Sequence, residues 1–350
     1  MKNNMMKKLL TLVLAGAMTL SLAACGAKDT QPIEQPDNST EEAKTYKVAV
    51  IKQLDHASLD EIANAVTAEL DKIAADNGVT IEYEVTSGQG DQTILKQLSD
   101  QAIADGVNAI IPIATTAAQI AALSAEETKT PVVYAAISDP ETAKLTGIDY
   151  VTGTSDALNT EFIMDMMFAQ NPNVAKVGLL YSLNEPNSAK PIADAKAYLD
   201  AKGITYIEQT ANTNDEVVAA ASALIAAGVD AVFTPTDNTV MTAELAIYEK
   251  FLNAKIPQYC GADSFALNGA FVGYGVDYTA LGKMTADMVV QVLVDGKSPA
   301  TLPVATFDNG IAMINTDSCT ALGYDLAAVK QAFDGKCSSV LETTTQQNFD

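Results

Sequence analysis

Ile103-Ala104-Asp105-Gly106-Val107-Asn108-Ala109 recurs as Ile225-Ala226-Ala227-Gly228-Val229-Asp230-Ala231, 122 residues further along the chain. Each copy reads as the end of an amphipathic helix, a glycine stop and the start of an apolar strand. The match has companions in the same order. Val48-Ala49-Val50-Ile51 recurs as Val177-Gly178-Leu179-Leu180 at an offset of 129, and Gly78-Val79-Thr80 as Gly203-Ile204-Thr205 at 125. Pro131 and Pro257 form a weaker fourth pair. Ordered repeats with slowly drifting spacing indicate a duplicated unit.

Working outward, Thr45–Lys52 is a β-branched strand, and 59–73 carries Leu59, Ile62, Ala63, Val66, Leu70 and Ile73 at helical spacing. A second strand is expected over 79–86, a helix on the stripe Ile94, Leu95, Leu98, Ala102 and Ile103, a buried strand over 108–113, and a fourth over 131–137. Short apolar strands alternating with helices predict an α/β protein with two duplicated doubly wound parallel-sheet domains. Such sheets put their functional loops at the carboxyl ends of the strands. In the first domain these are 53–56, 87–91, 114–116 and 138–140; in the second, 182–188, 210–212, 236–238, 263–264 and Asp277. Facing each other, they line one interdomain cleft.

Composition narrows what that cleft does. The 350 residues are 48% hydrophobic, ample for two cores, and carry a formal charge of −23. All 21 basic residues are Lys. An acidic chain without Arg lacks the cationic face that nucleic acid requires and the bidentate clamp for carboxylate or phosphate. His56 is the single histidine, and the four Cys match no zinc spacing, so neither metal nor cofactor is expected. No Gly-x-Ser-x-Gly elbow is present. Ser87-Gly88-Gln89-Gly90 lacks the Lys of a P-loop and the third glycine of a dinucleotide fingerprint, and reads as a turn that brings backbone close to a ligand. Nothing requires an enzyme.

Polar loop residues supply hydrogen bonds instead: His56, Ser87, Gln89, Ser138, Asp139, Asn187, Ser188, Thr236, Asn238 and Asp263. Thr115 and Thr116 stand at an expected helix N-terminus, which favours an anion; Thr115 reads equally as a simple N-cap. At the repeat-equivalent position the second domain has Asp237, 122 residues on, with Asp277 nearby in the loop series. Anion donors on one side and acids on the other suit a zwitterion. Leu54, Tyr181 and Tyr274 are candidates to hold its side chain, or to be core.

The N-terminus is an address. Lys2, Lys7 and Lys8 precede an apolar run that ends Leu22-Ala23-Ala24-Cys25-Gly26, the layout of a secretory signal with a lipobox, cut before a lipidated Cys25. Residues 1–24 are the expected signal peptide, and the polar stretch 25–45 a tether. Cys319 and Cys337 either close a C-terminal loop or remain thiols.

Asp55-His56-Ala57-Ser58-Leu59-Asp60, Gly88-Gln89-Gly90-Asp91-Gln92, Ser138-Asp139-Pro140, Pro235-Thr236-Asp237-Asn238 and Gly275-Val276-Asp277-Tyr278, with the lipobox and the duplication, resemble the solute-binding lipoproteins of ABC importers. The fold implied is periplasmic binding protein type I, and the branch is the one assigned to tryptophan and tyrosine uptake. Ala57 replaces that branch's usual Pro, and its Asn-Ala-Gln-Gly-Asp loop reads Thr86-Ser87-Gly88-Gln89-Gly90-Asp91 here. The resemblance implies lobes of 46–153 plus 278–304 and of 154–277 plus 305–345, joined by three crossings that permit hinge closure. It also implies an exported, membrane-anchored monomer serving a permease and an ATPase. The alternatives are a sugar, nucleoside or branched-chain amino acid in the same fold, or a sensor for a membrane signalling partner. An absent Trp and 6% aromatic residues count against a sugar platform.

Overall fold

The structure, a computed structural model, describes residues 44–307 and 310–346. The expected signal peptide, Cys25 and the tether as far as residue 43 lie outside the described residues. Thr45, the last residue assigned to the tether, already belongs to the first strand.

The first half of the duplication runs β1 (Thr45–Lys52), α1 (Ala57–Asn77), β2 (Thr80–Ser87), α2 (Gln92–Ala104), β3 (Ala109–Ile113), α3 (Thr115–Ser124), β4 (Val132–Tyr134) and β5 (Val151–Ser155). The second runs α4 (Thr160–Gln170), β6 (Lys176–Tyr181), α5 (Pro186–Lys202), β7 (Thr205–Thr210), α6 (Asn214–Ala226), β8 (Ala231–Thr234), α7 (Asn238–Asn253), β9 (Gln258–Cys260), α8 (Asp263–Leu267) and β10 (Val272–Gly275). Then follow α9 (Tyr278–Leu293), β11 (Ala305–Thr306), β12 (Ile311–Asn315), α10 (Thr316–Leu322), α11 (Leu326–Phe333) and β13 (Ser339–Thr343).

The internal repeat is a repeat of topology. One sheet is ordered β11-β5-β4-β3-β1-β2 and the other β13-β12-β10-β9-β8-β6-β7, so β2-β1-β3-β4-β5 and β7-β6-β8-β9-β10 are the same doubly wound arrangement. Parallel pairing buries both faces of the central strands, which is why β3 and β8 are apolar runs without alternation. The one antiparallel pair among the described strands is β10 with β12. The repeated Gly78 and Gly203 end α1 and α5 at φ +63° and +68°, the left-handed stop that a side chain disfavours.

Lobe membership follows the sheets and shifts two expected boundaries. β5 pairs with β4 through Gly153 and continues with β11 through Ser155, so a division after residue 153 cuts a strand of the first lobe. For the same reason β11 belongs to the first lobe and not the second. The chain crosses between β5 and α4, between β10 and α9, and between β11 and β12. Helix α9 packs on α1 although it follows a second-lobe strand. A Cβ on Gly282 would lie 2.7 Å from both the Ala65 Cβ and the Ile62 carbonyl, so only glycine lets the two helices approach this closely.

One apolar cluster joins the lobes, running from Val50, Ile111 and Val133 through Ala114 and Ala136 to Val240, Met241 and Phe265. Two others fill the outer side of each lobe. The inner sides are therefore in contact and the clamp is closed. Cys319 donates to the Tyr324 carbonyl at 3.7 Å and Cys337 to that of Phe333 at 3.6 Å; both are free thiols, so the loop-closing disulfide is not formed.

Candidate ligand cleft

The starts of six helices, α1, α3, α5, α7, α8 and α9, meet between the lobes. A narrow cavity of about 20 Å³ is lined by Ser58 and Leu59 of α1, Thr115 of α3, Asn187 of α5, Asn238 and Met241 of α7, and Tyr278 of α9. Parallel strands feeding helices make this convergence automatic, and the positive ends of the helix dipoles give an acidic, Arg-free protein a local preference for negative charge. Ala114 and Ala136, after β3 and β4, line the same space at φ +77° and +58°. Left-handed backbone on non-glycine residues stores strain, and it clusters where ligands bind.

A polar chain ties one lobe to the other. The backbone N–H of Thr116 donates to Gln53 Oε1 at 3.0 Å, which leaves Gln53 Nε2 to donate to Glu185 Oε1 across the cleft at 2.9 Å. Asn238 Nδ2 donates to Glu185 Oε2 at 2.8 Å, and Asn238 Oδ1 lies 2.9 Å from His56 Nε2 on the opposite lobe. Ser58 Oγ donates to Asp263 Oδ1 at 3.2 Å, a further bond between lobes. Burial first, and then the Asp237 carboxylate, push Glu185 above the ordinary range, so it is protonated at neutral pH. Asn187 Nδ2 donates to the Thr236 carbonyl, Asn187 contributes a hydrogen bond that favours the charged form of Glu185, and Asn187 Oδ1 is buried without a partner.

The first lobe brings one carboxylate to the cavity: Asp156, just beyond β5. It accepts from Ser138 Oγ at 3.0 Å and from the Tyr278 hydroxyl, and burial pushes it up to about 6. At pH 7 it is largely ionised, desolvated and short of a cationic partner. That is the electrostatic condition of a group awaiting an ammonium. Leu59, Met241, Phe265, Ala136 and Ala262 make the apolar wall.

Of the residues singled out in the sequence, His56, Thr115, Ser138, Asn187, Thr236, Asp237 and Asn238 line the cavity. Asp237, expected to hold an ammonium, spends its oxygens on the protein. Oδ1 caps α7 through the Val240 N–H at 2.9 Å, while Oδ2 accepts from the Ser182 N–H at 2.6 Å and from Ser188 Oγ at 2.7 Å. Ser188 is thereby a brace and not a wall. Asp277 is exposed and caps α9 through the Ala280 N–H at 2.8 Å. Thr115 is not an N-cap, because Ala114 holds that position. Thr116 stands one residue behind, its hydroxyl buried without a partner.

The remaining candidates sit outside the wall. Asp139 folds back on the Thr142 N–H and hydroxyl. Asp263, pushed up to about 6 mainly by burial, faces Ser58. Leu54 belongs to the shared apolar cluster. Ser87 accepts from the Gln89 N–H at 3.3 Å, and the Gln89 side chain is exposed. The Gly88 turn approaches protein, not ligand: a Cβ there would meet the Leu95 side chain at 2.4 Å. Tyr181 donates to Glu208 at 2.8 Å, and Tyr274 is buried in the outer cluster of the second lobe, so neither reaches the cavity.

The sequence reading missed Asp156, Glu185, Met241, Phe265 and Tyr278. Asp156 carried a usable signal, since a strand's carboxyl end precedes it, but that loop was assigned to the hinge. Among the described residues no group of His, Cys, Asp and Glu is arranged to hold a metal ion, and no helix is long and apolar enough to cross a membrane.

With the geometry in place, comparison with known proteins is direct. A curated tyrosine-binding protein of Clostridioides difficile (strain R20291) is 27% identical over 323 residues, 90% of this chain and 92% of its own length. The crystal structure of an ABC domain in complex with L-Trp from Streptococcus pneumonia superposes with a TM-score of 0.76 at 29% identity, covering 85% of this chain and all of the other. A conserved domain protein from Vibrio cholerae O1 biovar El Tor has the same TM-score at 28% identity and the same coverage. The architecture is that of the type I periplasmic binding proteins. The family described as ABC transporter substrate binding protein matches residues 47–328, and the chain belongs to that family.

Proposed function

We propose that this protein is the extracytoplasmic receptor of an ABC importer and that it captures an aromatic amino acid, Tyr or Trp, between its lobes, which part from the closed arrangement seen here to make room for it. The observation that carries this reading is Asp156, an ionised and desolvated carboxylate facing a cavity otherwise walled by hydroxyls, amides, helix starts and apolar side chains. The ligand ammonium pairs with Asp156. Its carboxylate turns to the Thr115 hydroxyl at the start of α3, and its ring lies on Leu59, Met241 and Phe265. The tyrosine-binding relative and the Trp-bound neighbour support an aromatic ligand.

No catalysis is assigned to the cleft. Asp237 is committed to capping and bracing, and Glu185 and His56 to the contacts between lobes. Secretion, lipid attachment at Cys25 and delivery of the ligand to a permease and its ATPase complete the proposal. They rest on the lipobox sequence and on the family's role.

A thermal-shift panel of the twenty amino acids, several sugars and several nucleosides tests the ligand class. Ligand at a hundred times Kd stabilises by about 2.7 kcal/mol, which raises the midpoint by several degrees. The expected result is a rise confined to Tyr, Trp and Phe. A rise with sugars or nucleosides alone contradicts the zwitterion site, and a rise with aliphatic amino acids alone contradicts the aromatic wall.

A further inference from the structure

Among the described residues, three buried polar atoms around the cleft have no partner: Thr116 Oγ1, Asn187 Oδ1 and His56 Nδ1. The His56 atom is informative because its chemistry is fixed from outside. Asn238 Nδ2 donates to Glu185 Oε2 at 2.8 Å, which leaves Asn238 Oδ1 to face His56. An amide oxygen only accepts. His56 Nε2 is therefore the protonated ring nitrogen, and burial lowers the imidazole pKa, so the ring is neutral. The remaining nitrogen, Nδ1, is a bare lone pair, sealed from solvent, on a residue that lines the cavity.

A lone pair repels the ligand carboxylate and asks for a donor. The ammonium is drawn to Asp156, which is largely ionised and held by Ser138 and Tyr278, whereas the His56 ring is neutral. The donor left to satisfy His56 belongs to the ligand side chain. We propose that His56 is the specificity-determining residue of the cleft: Nδ1 accepts a hydrogen bond from the ligand's indole N–H or phenolic O–H, selecting Trp and Tyr against Phe. This inference rests on the aromatic-ligand reading and goes beyond it, since that reading by itself ranks the three rings by size alone. Glu185 and Asn238 become positioning residues that set the imidazole tautomer. An acceptor left buried and unpaired by Phe weakens its binding roughly tenfold to a hundredfold relative to Tyr.

The chain has one histidine, so the imidazole nitrogens of the intact protein give an unobscured ¹⁵N spectrum. The expected spectrum of the free protein shows Nε2 protonated and Nδ1 bare. Tyr or Trp moves the Nδ1 resonance toward the hydrogen-bonded position, whereas Phe and 1-methyltryptophan leave it in place. Calorimetry supplies the energetic arm. Wild type favours Tyr over Phe and Trp over 1-methyltryptophan by tenfold or more, and in His56→Leu both ratios fall within threefold. Because the ratio is read, a uniform loss from the broken Asn238 contact cancels. A protonated Nδ1 in the free protein, equal wild-type affinity for Tyr and Phe, or ratios that survive in His56→Leu overturn this inference and leave the aromatic reading standing. Binding of none of the four ligands overturns both.

Discussion

Replacing Asp156 by Asn removes a charge while keeping the shape and the hydrogen bonds to Ser138 and Tyr278. Two effects follow. An ammonium left beside an amide in a closed cleft loses its counter-ion, and truncation of one partner of a buried charge pair typically costs about 2–5 kcal/mol, so Kd rises at least thirtyfold. The second effect is on pH. Burial raises the free carboxyl to about 6, and only its ionised form pairs with the ligand. Affinity is therefore complete well above pH 6 and falls as pH drops through it. Proton competition predicts Kd roughly doubled at pH 6 and about tenfold weaker at pH 5 than at pH 8. Asp156→Asn abolishes that window. Asp263, also pushed up to about 6 but facing Ser58 outside the cavity wall, is the control: Asp263→Asn retains the pH profile. Isothermal titration of the three proteins with Tyr between pH 5 and 8 reads both effects. An Asp156→Asn Kd within threefold of wild type, or a flat wild-type profile, refutes the reasoning.

Other consequences are as direct. Asp277→Ala, losing only an exposed cap, leaves ligand affinity within twofold by calorimetry and lowers stability by about 1 kcal/mol. Asp237→Ala strands the Val240 and Ser182 N–H groups and the Ser188 hydroxyl; a loss of about 2–3 kcal/mol and a midpoint several degrees lower are expected in thermal melts. Gln53→Ala cuts the Thr116–Gln53–Glu185 link, so the lobes open more readily; affinity for Tyr and Phe falls together by about tenfold, and small-angle scattering shows a larger radius without ligand. Glu244 in α7 is fully buried with Gln258 as its one partner at 3.4 Å, and burial pushes it to about 8. A carboxyl that keeps its proton in the folded state stabilises less as pH rises from its unfolded value near 4.5 to about 8, with a slope near 1.4 kcal/mol per pH unit. Glu244→Gln removes that slope in denaturant titrations.

The duplication, the parallel sheets and the loop ends were legible because they depend on local patterning repeated twice. Strand composition, glycine stops and helix spacing carry that information without reference to anything distant. Lobe membership was less legible. β11 is two residues long and gains its place only by pairing with β5, a contact no local pattern encodes. The cleft was half legible for the same reason. Residues at strand ends are placed by topology, so His56, Thr115, Ser138 and Asn238 line the cavity as their positions in the sequence imply. Whether a carboxylate there faces a ligand or its own helix depends on side-chain direction. Asp237 and Asp277 turned to cap α7 and α9, while Asp156, which caps nothing among the described helices, faces the cavity. Met241 and Phe265 lie inside their helices and belong to the shared apolar cluster as well as to the cavity wall, so no local signal separates them from core.

The central claim is that an amino acid sits between the lobes with its ammonium on Asp156. A crystal structure of the protein grown with Tyr tests it most directly. The account predicts the ligand nitrogen within hydrogen-bond distance of the Asp156 carboxylate, the ring against Leu59, Met241 and Phe265, and the phenolic oxygen at His56 Nδ1. A ligand bound elsewhere, or lying in this cavity with its ammonium turned from Asp156, contradicts it.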